Sequence, residues 1–292
     1  MHYNEVFLGE NRQMIKISEL RKVYSDGTVA LDGIDAEIER RVTAVIGRNG
    51  AGKTTMMRIL STQLAPTSGN VLIDGLDIMK ETTKVRKKIA SIPQEATPIG
   101  ILTPEEHVTL YLLARNFSHS DARRETLIAL DNLGIREYRN KPADTLSGGT
   151  KRKIFVAMAI ASNADTVFLD EPTTGLDPVS RMEVWSSIRK LDGNIIVTTH
   201  YMEEAEELSQ EVFLVDRGAV MERGEVKALL SRFSGKLRAE SHSPIDGAMQ
   251  ISNTFIKYIR SGEVEKYASM GCTIKRITLD DIFINRGVDV ES

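Results

Sequence analysis

The run Gly47-Arg48-Asn49-Gly50-Ala51-Gly52-Lys53-Thr54-Thr55 has the residue types and the spacing to hold a chain of phosphates. It fits the pattern G-x-x-x-x-G-K-[ST]. Glycine lets successive backbone N–H groups turn inward around an anion, so Gly47, Asn49, Gly50 and Gly52 would line a cradle with their main chain. Lys53 has the reach and the charge to meet the β- and γ-phosphates of a nucleotide. Thr54 offers a hydroxyl to Mg²⁺, with Thr55 beside it. A second pair of groups is Asp170-Glu171. A carboxylate at the tip of a strand beside such a loop can hold Mg²⁺ directly or through water, the part assigned to Asp170. Glu171, one residue further, is suited to orient and deprotonate an attacking water. Apart, the two stretches are a glycine turn before a surface lysine and two solvated acids at a strand end. Together they make the chemistry of nucleotide hydrolysis.

These groups need elements to hold them in place. Residues 42–46, Val-Thr-Ala-Val-Ile, are short, apolar and β-branched, which predicts a buried strand leading into the loop. Met56-Met57-Arg58-Ile59-Leu60 starts a helix after it, and a helix N-terminus favours an anion. Residues 166–170 form a second buried strand, ending in the acid, and 194–198 a third. Residues 181–191 and 203–209 read as helices, and 211–215 with 219–221 flank Asp216-Arg217-Gly218 as a hairpin. Buried strands alternating with helices predict a mostly parallel sheet covered on both faces. Ahead of the loop, residues 14–20 and 30–38 alternate apolar and polar, which predicts antiparallel strands. Short strands follow at 71–73 and 90–94. At Thr103 the period becomes helical: Thr103 can cap, Pro104 suits the first helical position and Glu106 completes a capping box. Residues 107–116, 121–133 and 151–162 carry helical spacing, so a helical insert occupies about 95–150. After Ser231 the texture loosens. Strands at 236–240 and 273–277 and a helix at 279–285 predict a small α+β appendage.

The chain has 292 residues, 41% hydrophobic and 27% charged, enough for one large domain or a core with a smaller companion. A net charge of -3 supplies no overall electrostatic attraction for nucleic acid or an anionic membrane surface. Cys272 is the single cysteine, so no intramolecular disulfide and no cysteine metal site can form, which fits a reducing compartment. Residues 1–13 lack the apolar core of a signal peptide. The longest apolar run, 154–161, falls far short of the roughly 20 residues that cross a bilayer. Any membrane crossing is therefore expected from another chain.

Leu146-Ser147-Gly148-Gly149-Thr150-Lys151-Arg152 resembles the signature sequence of the ATP-binding cassette (ABC) family, and it lies upstream of Asp170-Glu171 as in that family. Gly175-Leu176-Asp177-Pro178 resembles the loop after the second acid, His200 the switch histidine and Gln94 the glutamine loop. Tyr24 sits where the family has an aromatic that stacks on adenine. The motifs run in order from about residue 15 to 224. The resemblance implies an α/β fold: a P-loop NTPase (RecA-like) core with an antiparallel β subdomain, the helical insert and the small C-terminal appendage. It divides the chain into a nucleotide-binding domain, 1–230, and an accessory region, 231–292. ATP and Mg²⁺ are the implied cofactors, with Thr54, Gln94 and Asp170 at the metal and Glu171, His200 and Lys53 in catalysis. Two such domains would face each other head to tail, so that Ser147 and Gly149 reach the nucleotide of the partner in trans. Ser-Gly-Gly at a helix start makes physical sense there, because it presents backbone donors to a γ-phosphate; by itself it is a helix-starting turn. Asp177 would act across the interface. One departure is Thr150, where the family often has glutamine.

His200-Tyr201-Met202-Glu203-Glu204-Ala205-Glu206 and Thr278-Leu279-Asp280-Asp281-Ile282-Phe283 resemble the daunorubicin-resistance exporter ATPases and their lipid-exporter relatives. That implies export through a separate transmembrane permease subunit, with a second copy or a paralogous ATPase subunit as partner and no nucleic acid. The expected location is cytoplasmic, peripheral on the inner face of the cell membrane, with the helical insert and the loop 94–103 facing the permease. The rival is a soluble cassette ATPase acting as a switch on a non-membrane assembly such as a biosynthetic scaffold. A third, a regulatory ATP binder without turnover, sits badly with Glu171 and His200.

Overall fold

The computed structural model describes residues 14–285. The first half of the chain builds β1 (Ile15–Val23), β2 (Val29–Ile38), β3 (Val42–Ile46), α1 (Lys53–Leu60), β4 (Ser68–Ile73), β5 (Leu76–Asp77), α2 (Thr82–Lys88) and β6 (Ile89–Ile92). Three helices follow, α3 (Pro104–Ala114), α4 (His119–Asn132) and α5 (Gly148–Ala161). Then come β7 (Thr166–Asp170), α6 (Pro178–Ile188), β8 (Asn194–Thr199), α7 (Met202–Leu208), β9 (Glu211–Asp216), β10 (Ala219–Glu225) and α8 (Val226–Ser231). The chain ends in β11 (Lys236–Ser241), β12 (Met249–Ile251), β13 (Thr254–Arg260), α9 (Val264–Ser269), β14 (Thr273–Lys275) and α10 (Leu279–Asn285).

The central sheet has six strands in the order β10-β9-β3-β8-β7-β6. It is parallel from β9 to β6, with β10 antiparallel at one edge. Every residue of β3, β7 and β8 is buried, as expected when helices or a second sheet cover both faces. Side chains alternate between two cores. Val42, Ala44, Ile46, Val167, Leu169, Ile195 and Val197 enter a core shared with the helices, while Val45, Phe168, Ile196 and Phe213 enter a second core. That second core is closed by α1 and the antiparallel sheet β2-β1-β4-β5. Phe168 and Phe213 are fully buried, each worth about 1.5–3 kcal/mol of apolar transfer.

Strand order positions the site. β8 lies between β3 and β7, so the loops leaving the carboxyl ends of all three strands share one edge, the usual place for a ligand in an open parallel sheet. The helical insert forms as expected. Thr103 accepts from Glu106 N at 3.2 Å and the Glu106 carboxylate accepts from Thr103 N at 2.8 Å.

Several boundaries move for local reasons. The helix expected at 151 begins at Gly148, because Ser147 caps it. The helix expected at 181 begins at Pro178, because Asp177 caps it and proline fits its first position. The strands expected at 90–94 and 273–277 stop at Ile92 and Lys275. Helix α2 has a single buried residue, Val85, and so no apolar period to read. The appendage is a four-stranded sheet, β12-β13-β11-β14, over its own small core of Ala239, Ile245, Ile259, Tyr267 and Cys272. Its helix α10 leaves that core and packs Leu279, Ile282 and Phe283 into the main one, against α7 and α8. Among the described residues no helix is long and apolar enough to cross a membrane.

Candidate functional site

The phosphate loop turns sharply after β3. At Gly47 an added Cβ would lie 2.2 Å from the Val215 carbonyl oxygen. At Gly52, where φ is +103°, it would lie 2.4 Å from the Ala30 carbonyl oxygen. Only glycine follows this path. Helix α1 starts with no side-chain cap and no acid in its first turn, which leaves its N–H donors open to an anion. Lys53 is 4% exposed, and its Nζ donates to the carbonyls of Gly47 at 2.8 Å and Arg48 at 3.1 Å. The Tyr24 hydroxyl lies 3.1 Å from Thr55 Oγ1, so the aromatic ring stands at the mouth of the loop, half exposed.

The acids sit at the end of β7, with β8 between it and β3. Thr198 and Thr54 donate their hydroxyls to Asp170, and burial pushes the Asp170 carboxyl above its ordinary value. Glu171 is a buried residue with φ of +44°, a conformation that costs a side-chain-bearing residue on the order of 1 kcal/mol. Its N–H donates to Thr198 Oγ1 at 2.9 Å and to the Thr198 carbonyl at 3.1 Å, which holds the turn. The turn aims the carboxylate at four partners. Lys53 Nζ lies 3.4 Å from Oε1. Gln94 Nε2 and Thr174 Oγ1 each donate to Oε2 at 3.0 Å, and His200 Nδ1 lies 3.2 Å from the same oxygen.

This donor set suits hydrated Mg²⁺ with a phosphate chain. Among the described residues no group of three or more His, Cys, Asp or Glu could hold a metal alone. A hydroxyl, a carboxylate and an amide from Thr54, Asp170 and Gln94 instead leave positions for phosphate oxygens and water, as Mg²⁺ prefers.

Two expected residues stand apart from this centre. Ser147 is exposed at the start of α5, whereas Gly149, in the first turn, is buried against Ser180 of α6, and the Ser147 side chain bonds within that turn rather than to the loop of the same chain. Ser147 Oγ accepts from Thr150 N at 3.2 Å and lies 2.9 Å from Thr150 Oγ1. Thr150 thus engages the serine with its short side chain. Asp177 caps α6, accepting from Val179 N and Ser180 N at 3.0 Å, and the Ser180 hydroxyl, with these backbone bonds, lowers its pKa.

Sequence reasoning missed several positioning groups. Thr198 and Thr174 carry no motif weight, yet both touch the Glu171 loop or side chain. Arg152 threads its guanidinium under the loop that carries Glu171, donating to the Pro172 carbonyl at 2.6 Å and the Glu171 carbonyl at 2.9 Å. Burial draws its pKa down from the usual arginine range. Glu204 is fully buried. Its Oε1 accepts from Thr173 Oγ1 and Trp185 Nε1, both at 2.8 Å, while Oε2 has no partner among the described residues. Burial raises the Glu204 pKa. The available signal for both was a charged residue inside a helix that must be covered on two sides.

The profile of the ABC transporter family matches residues 31–174. The chain is 36% identical over 233 residues to the daunorubicin/doxorubicin resistance ATP-binding protein DrrA of Streptomyces peucetius, covering 78% of this chain and 70% of that protein. It is 30% identical to the daunorubicin resistance ATP-binding protein DrrA3 of Streptomyces coeruleorubidus, over 93% of this chain and 95% of that one, appendage included. A solved dimeric ATP-binding cassette in a post-hydrolysis state, bound to ADP and Pi, superposes with a TM-score of 0.65 at 26% identity, over 72% of this chain and 98% of that chain.

Proposed function

Since the chain belongs to the ATP-binding cassette transporter family, we propose a division of labour among its residues that fits an ATP-hydrolysing subunit of the drug-exporter type. That subunit binds ATP with Mg²⁺, pairs with a second cassette and serves a transmembrane permease. The soluble-switch alternative is not favoured. The nucleotide-binding domain spans 1–230 and the accessory region 231–292, with α10 returning onto the former. The protein sits in the cytoplasm at the inner face of the cell membrane, held there by the permease.

In this reading the main chain of Gly47, Asn49, Gly50 and Gly52, with Thr55, cradles the phosphates, and Tyr24 stacks on the adenine. Lys53 neutralises charge on the β- and γ-phosphates. Thr54, Asp170 and Gln94 hold Mg²⁺, which supplies charge neutralisation at the transferring phosphoryl group. Glu171 accepts the proton of the attacking water, and His200 hydrogen-bonds the γ-phosphate and holds the Glu171 carboxylate. The water is positioned in line with the leaving oxygen, and the phosphoryl group passes through a loose transition state whose charge the loop donors and Lys53 stabilise. Ser147 and Gly149 complete the site of the partner chain in trans. Closure of the two chains then brings the helical inserts together, and the permease changes access.

The observation that carries this reading is the Glu171 carboxylate, buried and held at once by Lys53, Gln94, Thr174 and His200. Replacing it tests the assignment. Phosphate release by Glu171→Gln should fall by about 10²–10⁴-fold, the usual worth of a positioned base. The same variant should become a dimer with ATP, read by light scattering. Hydrolysis at the wild-type rate would remove Glu171 from catalysis.

A further inference from the structure

The first turn of α5 faces two ways. Ser147 and Gly148 are exposed, and the proposed function gives this turn to the partner's nucleotide. Any coupling of the two sites through α5 rests on that reading. Five residues along, Arg152 turns back into its own chain. Its Nε and Nη2 donate to the carbonyls of Pro172 and Glu171, and its fork also reaches the carbonyls of Gln94 and Ala96 at 3.4 Å. Among the described residues all its hydrogen bonds go to main-chain carbonyls and none to a carboxylate. They fall on the two segments that present Glu171 and Gln94. Beside it, Gly149 brings the helix start against α6 so closely that an added Cβ would lie 2.9 Å from Ser180 Cβ, and Ser180 Oγ donates to Asp177. The helix that would grip one nucleotide is therefore bonded to the loops that prepare the other.

We propose that Arg152 is a positioning residue that couples the two ATP sites of the dimer. When the γ-phosphate at one site holds the start of α5, Arg152 fixes the peptide planes of Glu171 and Pro172 and the backbone at Gln94, and so the direction of the base at the second site. The device needs a planar fork with several donors at fixed angles, because it must hold carbonyls from two segments at once. A lysine ammonium at the end of a flexible stem cannot hold them all in register. Glu171 is at positive φ, so its side-chain direction depends on the turn staying bonded on both sides. The coupling is reciprocal, since each chain contributes one α5 and one Glu171.

The test uses the full-length chain with Arg152→Lys and Arg152→Met. Phosphate release is followed against ATP concentration. The same substitutions are placed in the Glu171→Gln background and weighed by light scattering with and without ATP. Wild type should show a Hill coefficient approaching about two, the number of coupled sites. Both Arg152 variants should still dimerise with ATP in the Glu171→Gln background. Their Hill coefficient should fall to about one and their kcat by about tenfold, as expected when a base is misplaced rather than removed. Unchanged cooperativity and kcat in Arg152→Lys would overturn the proposal, as would a non-cooperative wild type. If Arg152→Met fails to fold, Arg152→Lys decides alone. Failure of Glu171→Gln with native Arg152 to dimerise would instead sink the underlying two-chain site, so the two ideas fail separately.

Discussion

At the residue scale the site is a set of buried charges whose partners are chosen one by one. Lys53 and Glu171 are each buried and lie 3.4 Å apart, so neither is left uncompensated before phosphate arrives. Asp170 differs: its surroundings are hydroxyls, and burial raises its pKa. A nearby divalent cation would reverse that logic. Glu204 is the instructive outlier. Burial outweighs its bonds from Thr173 and Trp185, so its folded pKa lies above the ordinary 4.5. The folded state then holds the proton longer than the unfolded chain, and the contribution to stability is lost as pH rises through the folded pKa. Glu204→Gln does not titrate there. Its stability relative to wild type should therefore improve steadily as pH rises above about 4.5. Urea unfolding of both proteins from acid to neutral pH checks the slope; a flat difference would mean that Glu204 keeps an ordinary pKa.

At the element scale, short helices meet the sheet edge through caps and glycines. Ser147 and Asp177 start α5 and α6, and Gly149 lets the two starts touch. Alanine in a helix is normally favoured over glycine by about 1 kcal/mol. At Gly149 the added methyl would meet Ser180 at 2.9 Å, and overpacking of that kind costs about 1–3 kcal/mol. At Gly148 it would meet only the end of Leu176 at 3.3 Å, a side chain that can yield. Nucleotide-free Gly149→Ala should therefore be less stable than wild type, by about 1 kcal/mol, while Gly148→Ala holds or gains. Chemical denaturation of the pair measures the contrast, and equal stabilities would show that the α5–α6 contact is slack. The insert helices α3 and α4 owe their position to the same logic, with Thr103 and Ser118 as caps.

At the scale of the whole molecule, two cores share one sheet, and the C-terminal segment is tied to the larger of them. Arg238 of the appendage lies 3.1 Å from Asp281 of α10, with side chains 11% and 0% exposed. Its Nε sits 2.8 Å from Glu240 but out of line for a hydrogen bond. The Tyr258 hydroxyl donates to the Asp281 carbonyl, and burial drives the Tyr258 pKa well upward. At the start of α10, Glu206 accepts from Leu279 N at 2.7 Å. Removing one member of a buried pair leaves a bare charge, so Arg238→Ala should lower the unfolding free energy by about 3 kcal/mol. Arg124→Ala, which breaks an exposed pair, should leave it nearly unchanged. If both behave alike in denaturant titrations, the appendage is not anchored through Asp281.

Much of this protein was legible in its residues alone. The phosphate loop, the two acids and the capping box are local chemistry, in which neighbours in sequence are neighbours in space. Buried strands announced themselves because both faces of β3, β7 and β8 had to be apolar. The middle of the appendage was not legible, because β12 is three residues long with none of them fully buried and so carries little period. The partners of Glu171 were not derivable from spacing either; only the family resemblance set His200 and Lys53 beside it. Gln94 lies 77 positions away and His200 29, and they meet because β7 runs between β6 and β8, the strands that lead into Gln94 and His200. The same holds for Arg152 under the Glu171 loop and for Glu204, buried on α7. Sequence spacing states which groups are present and how each element is built. Strand order decides which of them share an edge, because that choice rests on contacts between segments far apart in the chain.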